Sequence, residues 1–92
     1  MGFNEYAENA ESCQALIEAE DYASANIILT TALMPEAKRV ARELHPPGDD
    51  ERFDIFAGWA GLAKRCIDLG IQDVGGSICG TIVTHIKEAV ST

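Results

Sequence analysis

Apolar side chains recur at Phe3, Tyr6, Ala10, Cys13 and Ile17, a spacing of three and four that lays them along one stripe of a helix. On the same wheel Glu8, Glu11 and Glu18 group on the far side. The pattern predicts a first helix over 3–19 that buries one face and carries carboxylates on the other. Asp21 then breaks the chain or caps a second helix, 21–33, whose stripe is Tyr22, Ala25, Leu29 and Ala32, widened by Ile28 and Leu33. Pro35 interrupts it, because proline donates no intrahelical hydrogen bond and restricts Met34. Proline suits a helix start, so a short third helix is expected over 35–44, with Val40, Ala41 and Leu44 inward and Lys38, Arg39 and Arg42 outward.

His45-Pro46-Pro47-Gly48 marks a linker over 45–49, and Asp49 or Asp50 is placed to cap a fourth helix, 50–69. That helix has two apolar seams: Phe53, Phe56, Ala60, Ala63 and Ile67 on one, Ile55, Trp59, Leu62, Cys66 and Leu69 on the other. A helix apolar on two sides is expected at the centre of a bundle. Gly70 reads as its C-cap, and Asp73 as the cap of a last helix, 73–90, with Val74, Ile78, Ile82, Ile86 and Ala89 inward. Glycines at 58, 61, 75, 76 and 80 are costly in helix interiors, roughly 1 kcal/mol each against Ala, so small faces meeting across the Gly70 turn are expected. The β-branched run 81–86 also fits a strand, but a lone strand has nothing to pair with. The fold class is therefore all-α: one domain over 1–92, a compact four- to five-helix bundle of antiparallel helical hairpins.

The second helix places Asp21-Tyr22, then Ala25, then Ala32-Leu33 with a proline just after. This resembles the second helix of a tetratricopeptide repeat over residues 20–35. The chain departs from that family in its early Pro35, and in Asn9, Ser12 and Cys13 where the family places Trp, Leu and Gly. The resemblance implies a peptide-binding groove without catalysis, with the later helices acting as caps.

Charge changes the picture more than composition does. Apolar content of 47% with 24% charged residues is ordinary for a globular domain. The net charge of −8 is lopsided: no Lys or Arg precedes Lys38, while Glu5, Glu8, Glu11, Glu18, Glu20, Asp21 and Glu36 do. An acidic face repels nucleic acid and anionic membrane and favours basic protein surfaces. Lys38, Arg39 and Arg42 are too few for autonomous nucleic-acid binding and are expected to pair with the acidic first helix, within or between chains. No apolar run is long enough to span a membrane, and the opening residues lack the pattern of a signal peptide. Cys13, Cys66 and Cys79 are odd in number and far apart, which favours reduced thiols and a cytoplasmic setting.

The spacings that chemistry requires are missing. His45 and His85 are distant from each other and from paired cysteines, so no metal site is expected; His45 reads as a solvated linker residue, and His85 as a residue suited to a helix C-terminus. Gly75-Gly76-Ser77-Ile78-Cys79-Gly80 has Cys79 where a nucleophile elbow needs glycine, and it lacks the Gly-Lys-Ser/Thr ending of a phosphate loop. Asp49, Asp50, Glu51 and Asp54 lack the alternation of a calcium loop. No catalytic residue and no cofactor is expected. The sequence favours a small acidic protein-binding module with a basic partner, using Glu5, Glu8, Glu11 and Glu18 with Tyr6 and Tyr22 as aromatic anchors, Phe3 and Trp59 being further candidates if exposed. The alternative is an inhibitor or immunity-type protein whose acidic face blocks a basic, nucleic-acid-binding site. A homodimer that buries leftover apolar seams is a further expectation.

Overall fold

The computed structural model describes residues 2–91 and places them in an all-α bundle measuring 38 × 22 × 19 Å. Five α-helices follow one another: α1 (Phe3–Glu18), α2 (Tyr22–Ile28), α3 (Ala37–Leu44), α4 (Asp50–Asp68) and α5 (Gln72–Val90). Residues 81–86 are helical, and no strand occurs among the described residues.

α5 packs most extensively against α1 on one side and α4 on the other. Its glycines make this possible. A Cβ on Gly75 would lie 3.2 Å from the Ala63 carbonyl oxygen and from Ile67, and one on Gly76 would lie 3.3 Å from Ile17. Backbone therefore meets side chain directly, and α5 runs antiparallel to both neighbours: Gly76 opposes Ile17 and Gly80 opposes Gln14, while Gly75 opposes Ala63 and His85 stacks near Trp59. The core between them comprises Tyr6, Ala10, Cys13, Ile17, Leu29, Leu33, Val40, Phe56, Ala60, Ala63, Cys79, Ile82 and Ile86.

The expectation of two covered seams on α4 is met in part. α4 packs against α5, α3 and residues 22–33, and its Phe56–Ala60–Ala63–Ile67 seam and Cys66 are buried, whereas Ile55, Leu62 and Leu69 on the second seam are exposed. Val74, expected inward on α5, is also exposed, and Cys79 and Val83 take the buried positions instead. Gly58 and Gly61 face open space and make no close approach within the chain.

Local chemistry explains the joints. Asp21 caps α2, its carboxylate accepting from the Ser24 N–H at 3.2 Å. α2 does not stay α-helical to residue 33. Leu29–Leu33 forms a π-helical turn closed by the Met34 N–H donating to the Leu29 carbonyl at 2.8 Å, with the Thr31 hydroxyl donating back to Ile27. Pro35 then lies in a turn, and α3 opens later than expected, at Ala37. α1 and α4 end in the same motif. Asp21 N–H donates to Leu16 and Glu20 N–H to Ile17, as Ile71 N–H does to Cys66 and Gly70 N–H to Ile67. The left-handed position is Gly70 in one (φ 83°) and Glu20 in the other (φ 62°).

Candidate partner-binding surfaces

α1 sorts its residues by face as the pattern dictates. Glu5, Glu8, Glu11 and Glu18 are exposed, while Ala10, Cys13 and Ile17 are enclosed. None of these four carboxylates has an ion-pair partner among the described residues. Arg39 and Arg42 are engaged elsewhere. Arg39 bridges Glu36 at 2.8 Å and Glu43 at 3.6 Å. Arg42 reaches Asp50 at 3.2 Å while its guanidinium lies 3.8 Å from the centre of the Phe53 ring. Within the chain, Arg39 and Arg42 therefore do not pair with α1 as expected: short local ion pairs to Glu36 and Glu43 and across the α3–α4 joint take those two cations.

The aromatic candidates separate. Tyr6 is completely enclosed, with its ring 5.8 Å from that of Phe56, so it serves the core and is not available as an anchor. Its place on the apolar stripe decides this, since an inward stripe carries its tyrosine with it. Burial pushes the phenol's pKa up, with Cys79 adding to the effect. Tyr22 is half-buried and shares a concavity of about 340 Å³ with Glu18, Glu20, Gln72 and Asp73, so the structure brings one predicted aromatic beside one predicted carboxylate. Phe3 is partly buried against the core. Glu8 and Glu11 line a shallow depression with Ser12 and Ala15 farther along the same helix.

His45 corrects the reading of a solvated linker. Pro46 forces His45 into an extended conformation (φ −129°, ψ 92°), which ends α3 and turns the imidazole inward. There it is 5% exposed. Its Nδ1 lies 3.2 Å from the Asp49 carboxylate and its Nε2 lies 2.7 Å from Nε2 of His85. The Asp49 carboxylate offers Nδ1 an acceptor, and two Nε2 atoms this close have room for one proton between them. Phe56 and Trp59 close over His85, with ring centres 5.3 and 5.2 Å away. Burial, and then the charge of His45, hold the His85 pKa below its ordinary value. No local signal linked these two residues, which lie on different elements and meet only when α4 and α5 close.

The three cysteines are free and buried. Cys79 is held far above the usual thiol range, first by its hydrogen bond with Cys13 and then by burial, which keeps it neutral. No group of three or more metal-capable side chains converges among the described residues, and no helix there is long and apolar enough to cross a membrane. Compared with protein-family models, with curated proteins and with solved structures, the chain gives no match.

Proposed function

We propose that this chain is a non-catalytic protein-binding module that docks a partner's basic surface through the outer face of α1. The observation that carries the reading is the row Glu5, Glu8, Glu11 and Glu18, exposed and without ion-pair partners among the described residues, beside the half-buried Tyr22. Uncompensated charge of one sign steers association and discriminates against partners of like charge. The resemblance of residues 20–35 to a tetratricopeptide helix supports the same class of function. Free, buried thiols fit a reducing, cytoplasmic setting.

The same row of carboxylates favours a second reading, an inhibitor or immunity-type protein that occupies a basic, nucleic-acid-binding site. The effect on the partner separates the two: an inhibitor abolishes the captured partner's nucleic-acid binding, and a docking module leaves it intact. The test is affinity capture from cell extract on the immobilised chain, beside a Glu8→Lys/Glu11→Lys/Glu18→Lys variant. The variant is expected to keep its circular dichroism and to lose the captured basic proteins, by roughly ten-fold or more in yield. An unchanged set of captured proteins would rule out α1 as the docking face.

A further inference from the structure

α4 turns a long apolar seam to solvent. Ile55 is 51%, Leu62 50% and Leu69 70% exposed, at intervals of seven residues, and Ile71 (45%) and Val74 (44%) extend the apolar surface beyond the α4–α5 turn. Between Ile55 and Leu62 lies Gly58, where an added Cβ would meet nothing within 4 Å. Gly75 and Gly76 are required by close approach inside the chain, but Gly58 has no such reason there, although glycine weakens a helix interior. Ile55, Gly58, Leu62, Arg65 and Leu69 follow the three-and-four spacing of a helix-pairing seam.

We propose that a second copy of this chain covers this face, with α4 packed antiparallel against α4 about a two-fold axis between Gly58 and Leu62. The charge order selects this occupant and this direction. Asp50, Glu51 and Asp54 lie in the N-terminal half of the helix and Arg65 in its C-terminal half, all exposed, while Arg52 is turned toward Asp49. In the antiparallel arrangement Leu62 of each copy enters the gap left by the partner's Gly58. Ile55 lies on the stem of the partner's Arg65, whose guanidinium reaches Asp54. A parallel pair would instead set Arg65 on Arg65 and Asp54 on Asp54 and leave the Gly58 gaps facing each other. The face is complementary to itself only when reversed. The inference does not rest on the α1 reading, because α5 lies between α1 and α4.

Sedimentation velocity of the full chain over a dilution series tests it. The wild type is expected to pass from monomer to dimer as concentration rises, and Leu62→Glu to weaken self-association by roughly thirty-fold or more with helicity unchanged. Gly58→Val should weaken it comparably by filling the gap. Arg65→Asp should weaken it, and Asp54→Arg combined with Arg65→Asp should restore it, which a parallel pair would not allow. A chain that stays monomeric up to millimolar concentration, or a dimer indifferent to Leu62→Glu and Gly58→Val, overturns the proposal. So does a monomer that captures a different protein through Leu62. Lysine substitutions at Glu8, Glu11 and Glu18 should leave the dimer intact, so this proposal and the α1 reading fail separately.

Discussion

His85 shows how one side chain's surroundings become a property of the whole fold. It faces His45 from the α3–α4 joint and Arg52 from α4, and Glu88 lies near it on its own helix. Burial and His45 depress its pKa, with Glu88 opposing. A histidine so depressed stays neutral in the fold while the unfolded chain takes up a proton. Its contribution is therefore complete above the unfolded value, near about pH 6.5, and is lost as pH falls through and below that point. Thermal unfolding followed from neutral to mildly acidic pH should show Tm dropping on acidification. His85→Gln should flatten that drop, and parallel curves for the two proteins would show that the pair does not report pH. Glu20 offers a second residue-scale test. It adopts the left-handed conformation that Gly70 adopts in the matching motif, at a cost of about 1 kcal/mol for a residue with a Cβ. Glu20→Gly is expected to raise the unfolding free energy by about 1 kcal/mol, read as a higher denaturant midpoint at unchanged slope, whereas Gly70→Ala should lower it.

At the scale of elements, amphipathic spacing made α1 legible in detail. Tyr6, Ala10, Cys13 and Ile17 are enclosed and Glu8, Glu11 and Glu18 exposed, as the wheel requires. α4 was legible only in part, because periodicity shows that a helix has two apolar seams and not whether the protein supplies a neighbour for each. The glycines resolve the matter. Gly75, Gly76 and Gly80 let α5 approach α4 and α1 closely and so cover one seam of α4, while Ile55, Leu62 and Leu69 on the other stay exposed. The π-helical turn at Leu29–Leu33 had no signal in the apolar pattern either. The Thr30 and Thr31 hydroxyls, which donate back to Asn26 and Ile27, accompany a local widening of the helix that Pro35 then ends.

For the whole molecule, separation of surfaces is the main feature. Acidic charge lies on the outer side of α1, exposed apolar residues lie on the outer side of α4, and α5 is packed between them. Two independent docking faces follow from the two proposals above. The core between them encloses the thiols of Cys13 and Cys79, both 0% exposed, with Cys66 at 6%. Alkylation by iodoacetamide should therefore track opening of the bundle, with Cys66 modified first and Cys13 and Cys79 reacting only as the chain unfolds in denaturant. Rapid modification of Cys13 or Cys79 in native buffer would show that this core opens locally.

Helix content, most helix limits, the inward stripe of α1 and the front-loaded acidic charge could all be read from the chain. Each depends on residues within a turn or two of one another, where side-chain spacing and capping chemistry act locally. Tertiary structure alone decided that His45 and His85 meet and which seam of α4 stays bare. Those outcomes depend on which distant surfaces fit, and fit is set by backbone approach at Gly75 and Gly76, which no periodicity encodes.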